Sequence, residues 1–130
     1  MMRSGSLDHC LESPHLRTDG GTAALVGKDI EKAEKLLKEA PGRKDALEQI
    51  NGAYQAMYCA TQALLHSINL RATGFRAILA AVEEYFVKKG RLDRLHVDHL
   101  LRAQRIEGTP QETFDAAAAF LTAAKQAVGK

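Results

Sequence analysis

Between Lys44 and Ile68 the chain runs for 25 residues without a proline, and its apolar side chains recur at three- and four-residue spacing. Leu47, Ile50, Tyr54, Met57, Tyr58, Thr61, Leu64 and Leu65 make a broad stripe on such a helix. Ala46, Ala53, Ala56, Ala60 and Ala63 add small residues that let neighbouring helices approach closely. A helix this long and apolar has to sit in the middle of a helical domain. It predicts an all-α fold built around itself.

The flanking segments carry the same period. Val26, Ile30, Ala33, Leu37 and Ala40 predict a helix from Thr22 that stops at Pro41-Gly42, with Lys28, Glu31, Lys32, Glu34, Lys35 and Lys38 on its other face. After a turn near Asn69 to Gly74, Ile78, Leu79, Val82, Tyr85 and Phe86 predict a third helix that ends at Lys89-Gly90. A fourth is expected from Asp93 to Arg105, with Val97, Leu100, Leu101 and Gln104 inward, and Gly108 closes it. Thr109-Pro110-Gln111-Glu112 is a helix start: the threonine oxygen can accept a free backbone N–H, proline suits the first helical position, and Glu112 can reach back. The last helix then runs to Val128 with Phe114, Ala117, Ala118, Leu121 and Val128 inward. The expectation is an antiparallel up-and-down bundle of four to five helices over residues 22–130, one core's worth of chain. Residues 1–21, with Ser4, Gly5, Ser6, Pro14, Gly20 and Gly21 and no sustained period, read as a flexible leader.

A net charge of +2 gives no global case for nucleic acid or membrane binding, so any such binding needs a local patch. No apolar run approaches the roughly 20 residues that span a bilayer. Cys10 and Cys59 make neither a disulfide framework nor a thiolate metal site, which points to the cytoplasm.

Gly52-Ala53-Tyr54-Gln55-Ala56-Met57-Tyr58-Cys59-Ala60, followed by Ala63-Leu64-Leu65, resembles the second-helix signature of HEPN (higher eukaryotes and prokaryotes nucleotide-binding) domains. Glu84-Tyr85-Phe86-Val87-Lys88-Lys89-Gly90-Arg91-Leu92 is similar to the family's aromatic-rich helix end and turn. Leu100-Leu101-Arg102-Ala103-Gln104 and the Thr109-Pro110 start continue the resemblance, which spans residues 24–128 in order and spacing. The resemblance implies a HEPN-like antiparallel bundle, homodimerisation, and a prokaryotic cytoplasmic role beside a small nucleotidyltransferase or on nucleotide or RNA, without a cofactor. Some members are ribonuclease toxins of toxin–antitoxin pairs. These use an arginine, four to six residues and a histidine, the arginine stabilising phosphate charge while the histidine moves the 2′-hydroxyl proton.

Arg91 with His96, and Arg94 with His99, have that spacing. Leu92 and Leu95 stand where the family has a polar residue after the arginine, and Phe75 stands where a histidine is usual. Arg105-Ile106-Glu107-Gly108 lacks the family's Asp-Tyr pair. The resemblance therefore implies a catalytically degraded binding module, with metal-independent RNA cleavage or a purely structural bundle as alternatives. Arg76, Arg102 and Arg105 are the candidate phosphate contacts, against the plainer reading of a solvated basic face. His96 and His99 beside Asp98 have no second ligand pair nearby in sequence, so no metal site is assigned. Tyr54, Tyr58, Tyr85 and Phe86 read as core rather than as a base-stacking pocket.

Overall fold

The computed structural model describes residues 16–18, as backbone, and residues 25–128. Among these residues the chain forms strand β1 (Leu16–Thr18), helix α1 (Val26–Glu39), a 3₁₀ turn (Ala40–Gly42), helix α2 (Ala46–His66), strand β2 (Leu70–Ala72), helix α3 (Phe75–Val82), a π-helical turn (Glu83–Val87), helix α4 (Arg94–Gln104) and helix α5 (Pro110–Val128). The fold is all-α apart from a three-residue antiparallel ladder in which Leu16, Arg17 and Thr18 face Ala72, Arg71 and Leu70. The remainder of the segment read as a leader, 1–15 and 19–21, lies outside the described residues.

Helix α2 is the centre expected of it and packs against α1, α3, α4 and α5. Its 21 residues make a rod of about 31 Å at 1.5 Å per residue. Asp45, in extended backbone, starts it by accepting the Glu48 N–H at 2.9 Å, which satisfies one of the amides a helix leaves free at its first turn. Gly52 answers a packing need: a Cβ there would lie 3.1 Å from the Ala40 Cβ and 3.1 Å from the Arg43 Nε. The missing side chain lets the Ala40–Gly42 turn lie directly on the helix. Beyond it Met57, Leu64 and Leu65 are fully buried with Ile78, Phe86 and Phe120, each such side chain contributing about 1.5–3 kcal/mol of burial.

Four details depart from the periodicity. Leu47, placed in the α2 stripe, is 63% exposed, because burial of that face begins only at Ile50. Gln104 and Ala118 are exposed as well. The inward line of α4 follows Val97, Leu100 and Ala103 and leaves Gln104 outside, and that of α5 follows Thr113, Ala117, Phe120, Leu121, Ala124 and Ala127. The third helix is not uniform. At Glu83 it widens into a π turn, closed by Lys88 N–H donating to Glu83 O at 2.9 Å and Arg91 N–H to Phe86 O at 2.8 Å. That widening buries Phe86 completely and leaves Tyr85 half-buried.

Polar contacts, one long-range and the others local, hold the ends. The buried His66 donates from Nδ1 to Asp29 Oδ2 at 2.5 Å, tying the end of α2 to the start of α1. Thr109 and Glu112 form the expected reciprocal pair at the start of α5: Thr109 N–H donates to Glu112 Oε1 at 2.9 Å, and Glu112 N–H donates to Thr109 Oγ1 at 3.2 Å. Helix α4 ends in a left-handed closure. Ile106 N–H donates to Ala103 O at 3.0 Å and Glu107 N–H to Arg102 O at 2.9 Å, with Ile106 at φ 56° and Gly108 at φ 89°.

Candidate functional site

The candidate residues gather on α4 and the turns around it. Asp93 caps α4 by accepting the Leu95 N–H at 2.9 Å. That start sets the register in which His96, His99 and Arg102 follow one another at three-residue steps along the helix. The His96 and His99 rings meet edge-on with centroids 6.3 Å apart, and His96 also stands edge-on to the buried Phe120 ring at 5.9 Å. The Nδ1 atoms of both histidines are buried without a hydrogen-bond partner. Burial, and then the neighbouring His99, push the His96 imidazolium pKa below its ordinary value against a smaller opposing pull from Asp93. His96 is therefore a neutral imidazole at neutral pH.

The two arginines paired with these histidines in sequence are engaged elsewhere. Arg91 donates from Nη2 to Ala127 O at 2.7 Å, and its guanidinium lies 4.8 Å from the centre of the Phe86 ring. It fills one of the carbonyls that α5 leaves free at its C-terminal end, where a cation is also favoured by the helix dipole. Arg94 forms an ion pair with Glu83 across the turn. Arg91 and Arg94 thus serve contacts within the chain, with a helix end and a carboxylate respectively. Arg76 in the first turn of α3, and Arg102 and Arg105 at the end of α4, are exposed.

A hollow of about 370 Å³ opens between α4 and α5. Ala103, Ala116 and Ala119 give it a small-residue wall, and His99, Arg102, Glu107, Glu112 and Asp115 give it polar groups. Arg102 Nε lies 3.9 Å from Glu107 Oε1. Glu112 is held below the usual carboxylate range by the backbone and side-chain hydrogen bonds of Thr109, with Arg102 adding to the effect, so it is ionised at neutral pH. One arginine thus shares the hollow with three carboxylates, and the lining is net negative. Such a lining repels phosphate and suits a cation or a hydrogen-bond donor.

Sequence reasoning offered Arg102 as a candidate phosphate contact, beside the plainer solvated face, because it reads charge one residue at a time. Glu107, Glu112 and Asp115 reach the same hollow from the turn and from α5, and only the Glu112 capping role carried a local signal. Among the described residues no group of three His, Cys, Asp or Glu side chains is placed to hold a metal ion. No helix among them is long and apolar enough to cross a membrane. Cys59, half-buried on α2, has its thiol pKa raised by burial, with a lowering from Lys32 and a raising from Asp29 following, and so lacks the thiolate of a nucleophile.

Fold and site together define an all-α domain with a carboxylate-rimmed hollow between its last two helices. No protein-family model, no curated protein and no solved structure matches the chain.

Proposed function

We propose that this chain is a HEPN-like, catalytically degraded binding module of the cytoplasm, homodimeric, whose α4–α5 face receives a protein partner such as a nucleotidyltransferase. The observation that carries the reading is the engagement of both candidate arginines, Arg91 with the end of α5 and Arg94 with Glu83. Arg91 turns to a hollow that His96 does not line, and Arg94 is matched by Glu83, so neither Arg/His pair is set to share a scissile phosphate. The net-negative hollow supports a protein partner presenting lysine, arginine or backbone donors over RNA or a free nucleotide. The all-α fold is one such a module requires, and the family resemblance itself rests on the sequence segments.

The test is a pair of measurements on the whole chain. Fluorescence anisotropy with labelled single-stranded RNA at physiological salt is expected to show no saturable binding below about 100 μM, the weak non-specific range for proteins that do bind nucleic acid. Light scattering is expected to give a dimer mass at micromolar concentration. Tight RNA binding would overturn the choice of partner, and a strict monomer would overturn the dimer.

A second reading, metal-independent RNA cleavage through Arg94 and His99 or Arg91 and His96, draws on the unpartnered Nδ1 atoms of both histidines. It requires cleavage that disappears in His99→Ala or His96→Ala.

A further inference from the structure

A second hollow, of about 270 Å³, is lined by Ile68, Leu70, Tyr85, Lys89 and Arg91. Three local features assemble it. Asn69, in left-handed backbone at φ 61°, turns the chain out of α2 so that Ile68 and Leu70 come to one wall. The π turn brings Tyr85 to the opposite element while Phe86 goes into the core. Gly90, at φ 70°, reverses the chain so that Arg91 returns over Phe86 and Lys89 stays beside Tyr85, its ammonium 5.9 Å from the ring centre.

Among the described residues the lining carries two cations and no carboxylate, the opposite of the α4–α5 hollow. Lys88 next door is paired with Glu84 at 3.0 Å. Lys89 instead meets an aromatic face, a contact that leaves an ammonium's hydrogen-bond donors open. Arg91 gives one Nη2 hydrogen bond to Ala127, and a guanidinium has five N–H donors in all. Below these cations Ile68, Leu70 and the Tyr85 ring offer apolar surface, Leu70 being 4% exposed.

We propose that this hollow binds a small organic anion, its acid group held by Lys89 and Arg91 and its apolar body lying against Ile68, Leu70 and Tyr85. The volume equals roughly nine water molecules at about 30 Å³ each and falls just under the range of drug-sized pockets. It suits a single ring or a short chain. The acid group is a carboxylate or a phosphate monoester, since both accept charge-assisted hydrogen bonds from the same two cations. The site does not depend on the partner-binding role of the α4–α5 face.

The experiment is an NMR titration of the whole ¹⁵N-labelled chain with benzoate, phenyl phosphate, inorganic phosphate and benzylamine, each in 0.15 M salt. Saturable shifts with benzoate or phenyl phosphate, confined to amides 68–70 and 85–91, are expected, and the tighter of the two identifies the acid group. Inorganic phosphate is expected to bind at least about tenfold more weakly for want of an apolar body, and benzylamine not to bind. Lys89→Glu, at an exposed position whose change leaves the fold intact, is expected to weaken binding at least about tenfold. The proposal is overturned if neither anion saturates, if Lys89→Glu binds as the parent does, if inorganic phosphate binds as well as phenyl phosphate, or if the shifts fall at 99–119 instead.

Discussion

Truncating Arg91 to alanine removes two contacts at once, a charged hydrogen bond to Ala127 O at 2.7 Å and a guanidinium 4.8 Å above the Phe86 ring. A hydrogen bond from a charged donor contributes about 1.5–3 kcal/mol net. A cation over an aromatic face at a partly exposed site adds about 0.5–1 kcal/mol. The side chain is half-buried, and water can replace its hydrogen bond at the end of α5 once it is gone, so the low end applies and the expected loss is about 2 kcal/mol. With a urea slope of about 1–3 kcal/mol per molar, the unfolding midpoint falls by roughly 1 M. Arg91→Lys keeps the charge but not the planar fork, and is expected to recover part of the loss. A double-mutant cycle with Phe86→Leu is expected to show a coupling of at least about 0.5 kcal/mol. An unfolding free energy for Arg91→Ala within about 0.5 kcal/mol of the parent, the ordinary range of a surface substitution, would refute the bracing role.

The remaining predictions concern the two ends of α4 and the start of α5. Because the native pKa of His96 lies below its unfolded value of about 6.5, the unfolded chain binds more protons between the two values. His96 therefore contributes stability that is complete above about pH 6.5 and is lost as pH falls through the native value; urea midpoints from pH 7.5 to 5 are expected to decline less steeply in His96→Gln, and identical slopes would contradict this. Gly108→Ala is expected to cost about 1 kcal/mol or more by urea unfolding, because φ is 89° there and the new Cβ would stand 2.9 Å from Glu112 Oε1, the oxygen that accepts the Thr109 N–H. Thr109→Ala is expected to cost about 1 kcal/mol through the lost cap on Glu112 N–H, and an unchanged midpoint would remove that bond from the account.

The helices were legible because each carries its own signal: the 3.6-residue apolar period of α2, the Pro41-Gly42 stop and the Thr109-to-Glu112 start all act within a few residues of themselves. What the sequence concealed depends on partners far along the chain. His66 meets Asp29 across 37 positions, and Arg91 meets Ala127 across 36, with nothing local to either residue announcing the other. The π turn is hidden for a different reason, since Glu83 to Val87 has an ordinary helical composition and the extra residue is drawn in by Phe86 reaching the core. The β1–β2 ladder, three residues a side, is too short for an alternating pattern to register. At the candidate site the histidines and arginines were found by type and spacing, and their engagement was not. An Arg-to-His interval fixes separation along one helix but says nothing of whether Glu83 or a helix end claims the arginine first.

The same argument explains why a net charge of +2 predicts so little about ligands. Arg102 and Arg91 are equally cationic in sequence, yet the first shares its hollow with three carboxylates, while the second, among the described residues, shares its hollow with Lys89 and no acid. Coulomb energies fall with distance and are screened beyond about 8 Å at physiological salt, so each hollow responds to its own lining rather than to the molecular total. The acid-rimmed one selects donors and cations and the basic one selects anions. A basic partner segment placed on α4 and α5 and a small acid held beside the π turn are therefore compatible occupants of one molecule. Adding benzoate at saturation should leave partner affinity unchanged if the two sites are uncoupled, and by linkage any change would have to appear equally in the affinity for benzoate.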